Sequence, residues 1–84
     1  MTDAPVLSVS AVMSEFLGSA PTLDEIIAFK LPESLEQRAL ELLTKRREET
    51  LNEAEQVELD EFTRMGHFMN RVKLQARLKL AENS

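Results

Sequence analysis

The chain has no cysteine, tryptophan or tyrosine, and a single histidine, among its 84 residues. Without cysteine there are no disulfides, thiol nucleophiles, iron–sulfur clusters or zinc–thiolate sites. One histidine, His67, leaves a histidine-based metal site or a catalytic triad short of partners within one chain. Phenylalanine, present four times, is the whole aromatic content, a poor supply for the stacking platforms that bind single-stranded nucleic acid. The two glycines, Gly18 and Gly66, form neither a phosphate-cradling loop nor a nucleophile elbow. No apolar run exceeds a few residues, so no membrane span is expected. The start, Met1-Thr2-Asp3-Ala4-Pro5, carries an acid where a secretory signal carries bases, and Ser8, Ser10 and Ser14 interrupt the apolar stretch that follows. These absences point away from an enzyme, from cofactors and from metals, and toward a cytoplasmic protein.

What is present bounds the architecture. The length allows one domain, and a chain this short buries about 60–65% of its unfolded surface, which leaves little stability to spare. Apolar residues make up 43%, enough for a folded core. The net charge of −5 favours solubility and opposes loose binding to nucleic acid. That average conceals a polarity: residues 1–61 carry fourteen acids and five bases, whereas residues 62–84 carry five bases, Arg64, Arg71, Lys73, Arg77 and Lys79, and one acid, Glu82. An acidic body with a basic tail points to a partner or to an internal docking.

Helical periodicity dominates the chain. Residues 1–8 read as a frayed lead-in. Val9, Val12, Met13, Phe16 and Leu17 predict a short helix over 9–17 with Gly18 as its stop. Ser19-Ala20-Pro21 is a linker. Thr22 with Glu25 is a capping box for a second short helix over 23–29, whose apolar side is Leu23, Ile26, Ile27 and Phe29, with Lys30 suiting the dipole at its end. Pro32 forbids a continuous helix there and suits the first position of the next, running to Arg47. In that helix Leu35, Ala39, Leu42 and Leu43 form a stripe, Glu33 and Glu36 occupy the first turn, and Lys45, Arg46 and Arg47 the last. Asn52 with Glu55 is a second capping box. The last helix, expected over 53–81, carries a stripe of Leu59, Phe62, Met65, Met69, Val72, Ala76 and Leu80, widened by Phe68, Leu74 and Leu78. Gly66 weakens it by about 1 kcal/mol relative to alanine unless it marks a close helix crossing. Residues 82–84 read as a frayed end.

The expected fold is therefore all-α, a single domain of two short helices and an antiparallel helical hairpin with a long C-terminal helix. The hairpin helices are roughly 24 Å and 43 Å long, so the last helix overhangs its partner by about 18 Å. That overhang is the most basic and most apolar part of the chain. The short helices over 9–17 and 23–29, a second copy, or another protein must cover it.

Candidate chemistry is sparse. His67 has Thr63, Arg64, Asn70 and Arg71 at helical spacing, and two arginines repel a cation. Glu48, Glu49, Glu53, Glu55, Glu58, Asp60 and Glu61 lack the alternation and central glycine of a calcium loop, and cap and dipole roles account for several of them. Of the bases, Arg64, Arg71 and Lys79 are spaced by seven or eight and share one side of the helix, whereas Lys73 and Arg77 lie on another. They read as a charged rim around the apolar stripe, matched by Glu15, Asp24 and Glu25, or as contacts to phosphate. Met13, Met65 and Met69 with Phe62 and Phe68 suit either a core or an adaptable partner surface.

Phe16-Leu17-Gly18-Ser19-Ala20-Pro21-Thr22 followed by Glu25-Ile26-Ile27-Ala28-Phe29 resembles a stretch shared by a family of small helical proteins common in cyanobacteria. The resemblance continues through Leu42-Leu43, Thr50-Leu51, Glu58-Leu59-Asp60-Glu61-Phe62, His67-Phe68-Met69 and Leu74-Gln75-Ala76-Arg77, covering roughly residues 14–80. Glu49 departs from it, standing where the family has a loop glycine. The resemblance implies a helical fold and, by analogy, an antitoxin-like protein paired with a nuclease toxin.

The functional expectation is a non-enzymatic protein-interaction module, antitoxin-like or adaptor in role. Its partner interface is Phe62, Met65, Phe68, Met69, Val72, Ala76 and Leu80, and its partner is another protein or a second copy in a homo-oligomer. The alternative is a nucleic-acid binder that uses Arg64, Arg71, Lys73, Arg77 and Lys79. No catalytic, cofactor or metal residue is assigned.

Overall fold

A computed structural model describes residues 8–83. Residues 1–7 of the expected lead-in, and Ser84, lie outside the described part. Four helices follow one another: α1 (Val9–Gly18), α2 (Leu23–Ile27), α3 (Glu33–Arg47) and α4 (Glu53–Glu82). The described residues contain no strand, and the fold class is all-α.

Side-chain caps set most of the boundaries. Ser8 belongs to the ordered structure as the N-cap of α1, its hydroxyl accepting the Ala11 N–H at 3.0 Å. Thr22 and Glu25 form the reciprocal capping box of α2, at 3.1 and 2.8 Å. Asn52 and Glu55 do the same for α4, at 2.8 and 3.1 Å. Each box satisfies two N–H groups that a helix start leaves without carbonyl partners.

Three helix ends differ from expectation, each for a backbone reason. Gly18 remains helical, and α1 gives way to the left-handed region at Ala20, with φ 58°. Ala20, and not Gly18, takes the positive φ, and Pro21 after it keeps the helix from continuing. α2 stops at Ile27, leaving Phe29 and Lys30 outside the helix. Pro32 is the N-cap of α3 and not its first residue: at φ −54° and ψ 147° it is extended, while its carbonyl accepts the Leu35 and Glu36 N–H groups at 3.0 Å.

The α3–α4 turn closes with a Schellman arrangement. The Glu49 N–H donates to the Arg46 carbonyl at 3.0 Å and the Thr50 N–H to the Lys45 carbonyl at 2.9 Å. This arrangement requires a left-handed residue between them, and Glu49 supplies it with φ 60°. Glycine adopts that conformation without the Cβ conflict that glutamate carries.

α4 packs against each of the other helices. Its middle forms the main core: Met69 is buried with Val9 and Met13 of α1 and Leu35 of α3, and Phe62, Met65 and Val72 pack against this cluster together with Val12, Phe16, Phe29 and Leu31. The Phe16 and Phe29 rings stand 4.6 Å apart, joining α1 to the segment after α2. Toward the turn, Leu42 of α3 and Leu59 of α4 are fully buried. Alternating with the α3 leucines on the same stripe are Arg38 and Lys45. Arg38 makes a two-pronged pair with Glu58, at 2.7 and 2.8 Å, and a further bond to Glu41. Lys45 meets Glu55 at 2.5 Å. Toward the C-terminus, Ala76 is buried beside Leu23 and Ile26 of α2. The radius of gyration is 15.3 Å, against the about 12 Å of a compact chain this size, and the molecule measures 48 × 34 × 17 Å.

Gly66 marks no helix crossing. A Cβ placed there meets nothing within 4 Å. Its only effect is therefore the loss of helix propensity. Phe68, Leu74 and Leu78, expected to widen the core stripe, are exposed, because α1 and α2 cover one arc of α4 and these three point outside it.

Two predictions follow from these backbone and charge placements. Glu49→Gly, which relieves the left-handed glutamate, and Gly66→Ala, which restores helix propensity, should each stabilise the protein by about 1 kcal/mol, additively, in urea unfolding. Glu58, hydrogen-bonded by Arg38, and Glu55, hydrogen-bonded by Lys45 and by the Asn52 N–H, are held below the ordinary carboxylate value of 4.5. Their contribution to stability is complete above that value and is lost as pH falls through the depressed folded-state values. Glu58→Gln should lower the urea midpoint at pH 7, and the gap from wild type should close as the solution is acidified. A gap that stays constant in acid would mean the pair contributes through packing alone.

Candidate docking groove along the C-terminal helix

The outer flank of α4 carries three depressions that run into one another. The first, of about 610 Å³, lies between α1 and α4 and is bounded by Met13, Ser14, Leu17, Arg64, Met65 and Phe68. The second, of about 250 Å³, is bounded by Phe68, Arg71, Val72 and Gln75. The third, of about 230 Å³, lies between α2 and α4, bounded by Leu23, Ile26, Val72, Gln75, Ala76 and Lys79. Phe68 borders the first two, and Val72 and Gln75 the last two, so the three adjoin in a row along α4 that is called the trough below. From Arg64 to Lys79 it extends roughly 22 Å at the helical rise.

The trough owes its walls to the caps. The Ser8 cap starts α1 so that Met13 and Leu17, one turn apart, reach α4 near Met65. The Thr22–Glu25 box starts α2 so that Leu23 and Ile26 share the side toward Val72 and Ala76. One edge is cationic: Arg64, Arg71 and Lys79 are all exposed, and no acid bounds any of the three depressions.

The expected interface stripe divides in two. Met69 and Ala76 are 4% and 3% exposed, buried within the chain's own fold. Phe62, Met65, Val72 and Leu80 are half-buried. Phe68, at 43% exposure, is the exposed large apolar side chain that borders the trough. Part of the stripe thus meets α1 and α2, which settle over the overhang of α4.

The five bases also divide. Arg64, Arg71 and Lys79 share the groove edge, as their spacing indicates. Lys73 is turned inward, its Nζ donating to the Phe29 carbonyl at 2.8 Å and holding the segment after α2 against α4. Arg77 is exposed and bounds none of the three depressions. The expected match of these bases with Glu15, Asp24 and Glu25 is absent: the ion pairs among the described residues are Arg38–Glu41, Arg38–Glu58 and Lys45–Glu55. Glu25 is engaged on the Thr22 N–H instead. Of the acidic cluster, Asp60 accepts from Gln56 and Glu61 from Ser10, each at 3.0 Å.

Met13, Ser14, Leu17, Leu23 and Ile26 complete the site from α1 and α2, and the expected interface lacked them. Their helical stripes were legible, but a stripe does not distinguish its core-facing edge from its groove-facing edge. His67 is exposed on α4, and no group of three or more His, Cys, Asp or Glu among the described residues is placed to hold a metal ion. No family model, curated protein or solved structure matches this chain.

The division between core and groove predicts opposite costs for adjacent residues. Met69→Ala should destabilise the fold by about 2–4 kcal/mol, through lost burial and a cavity. Phe68→Ala should cost about 1–2 kcal/mol, less than Met69→Ala, since 43% of the residue is already in water. Denaturant unfolding of the two variants checks the assignment, and equal costs would place Phe68 in the core.

Proposed function

We propose that the protein is a non-enzymatic interaction module, antitoxin-like or adaptor in role, that docks a partner helix in the trough along α4. The observation that carries this reading is the row of depressions around the exposed Phe68 ring, lined by Met13, Leu17, Met65, Val72, Leu23 and Ile26, with Arg64, Arg71 and Lys79 along one edge. A trough of this length suits an amphipathic helix, whose apolar face enters the groove while charged side chains meet the rim. Apolar anchors such as Phe68 supply affinity, and the cations fix register and partner choice. α3 and α4 serve as an antiparallel hairpin, supported by the Lys45–Glu55 and Arg38–Glu58 pairs across the turn, and hold the trough on a rigid helix. The resemblance to small helical cyanobacterial proteins agrees with a partner-binding role.

A nucleic-acid role draws on the same edge with less material. Lys73 is committed to the Phe29 carbonyl and Arg77 lies off the trough, leaving three cations against an acidic body. Apolar side chains between those cations suit a protein surface better than a phosphate backbone.

Tagged protein expressed in its native host and purified after nuclease treatment and a high-salt wash tests the choice. Wild type should retain a stoichiometric protein partner through both steps, and Phe68→Asp should lose it while remaining folded. Retention of nucleic acid instead, released by salt and abolished by Arg71→Glu, would overturn the reading in favour of phosphate binding.

A further inference from the structure

The flank of α4 reverses its charge along its length. Successive helical residues are about 100° apart, which places Glu53, Glu61, Arg64, Phe68, Arg71 and Lys79 within about 80° of arc. The first two are acidic and the last two basic; Glu82, in the same arc beyond Lys79, stays outside the pairing because its symmetric position, residue 50, precedes α4. They are also spaced symmetrically about the level of Gly66: Arg64 and Phe68 lie two residues either side, Glu61 and Arg71 five, Glu53 and Lys79 thirteen. Between Glu53 and Glu61 the same flank exposes Val57, at 66%.

From this symmetry we infer that the occupant of the trough is a second copy of the chain, its α4 running antiparallel about a two-fold axis level with Gly66. The inference rests on the trough being a docking surface and names what fills it. In this register Glu61 of each copy faces Arg71 of the other, Glu53 faces Lys79, and Arg64 faces the Phe68 ring, where a guanidinium is attracted to the aromatic face. Each contact occurs twice, as a two-fold interface requires. Glu61 accepts from Ser10 through Oε2 and keeps its other carboxylate oxygen for Arg71. Phe68 stands near the axis, beside the 610 Å³ groove bounded by Leu17 and Met65, which receives the partner copy's ring.

The alternatives fit the charges less well. A parallel pairing of the same flank sets Glu53 and Glu61 against their own copies and Arg71 and Lys79 against theirs, with like charges opposed throughout. The other exposed apolar residue of the acidic body, Leu40 of α3, has Glu33 and Arg47 seven residues either side on its own face, one reciprocal charge pair against two on α4, and it borders none of the three depressions. The antiparallel α4 pair sets Glu53 and Glu61 against Lys79 and Arg71 in one register.

Charge exchange tests the register by sedimentation equilibrium at low ionic strength, with helicity checked by circular dichroism. Wild type should be a reversible dimer that weakens with salt. Glu61→Arg alone and Arg71→Glu alone should each weaken it by about tenfold or more, because each creates two like-charge contacts. The double variant Glu61→Arg/Arg71→Glu should recover the wild-type dissociation constant to within about threefold, and an equimolar mixture of the two single variants should form a heterodimer, since opposite charges again face each other. A dimer indifferent to the single reversals, or one that the double variant fails to restore, would overturn the pairing. A chain that stays monomeric at every concentration would overturn self-docking. If its Phe68-dependent capture of another protein persists, the docking reading stands without it; if that capture is also absent, both fall.

Discussion

The packing of α1 and α3 onto Met69 of α4 is the contact on which the rest of the fold depends. Val9, Met13 and Leu35 reach Met69 from two different helices, and this is where the N-terminal segment, α3 and α4 are held by one apolar cluster. A chain of this size has few such side chains to spend. The main cluster occupies the middle of α4, with Leu42 and Leu59 toward one end and Ala76 toward the other. A flexible thioether suits the central position, since it fills the irregular space where two helices converge from different angles.

Because apolar material is short, charges and caps do the aligning. Arg38 and Lys45 alternate with Leu35 and Leu42 on the α3 stripe and meet Glu58 and Glu55 on α4. These pairs are part-exposed and add little free energy singly, but they fix the register in which the leucines meet. Glu55 serves twice, as the N3 member of the capping box and as the partner of Lys45. In the acidic half of α4, Glu55 and Glu58 are thus paired with bases of α3, whereas Glu53 and Glu61 are in none of the ion pairs among the described residues. In the basic half, Lys73 alone turns inward, and Arg64, Arg71 and Lys79 remain along the trough.

This imbalance connects fold to function. α1 and α2 are long enough to bury Met69 and Ala76 and too short to cover the adjacent flank, so the Phe68 ring stays in water beside three cations. A radius of gyration well above that of a compact chain expresses the same fact in overall shape. An elongated helix with apolar anchors and segregated charge is suited to receive another helix.

The helical class, the four helices, both capping boxes, the placement of Lys45, Arg46 and Arg47 at a helix end, and the grouping of Arg64, Arg71 and Lys79 on one side were all legible in the sequence. Each is a local property, set by spacing along one helix or by side chains three or four residues apart. Glu49 could be flagged as standing where glycine is favoured, though only the backbone revealed its left-handed conformation. The sequence by itself did not decide which arc of the α4 stripe becomes core, nor that Gly66 lies clear of any neighbour, nor that Lys73 turns to the Phe29 carbonyl. Those outcomes depend on where α1 and α2 come to rest on α4. Their position follows from the linkers at Ala20–Pro21 and Leu31–Pro32 and from contacts between residues far apart in the chain. Periodicity gives each helix an apolar side but not its neighbour, and tertiary packing alone divided one long stripe into a buried face and an open groove.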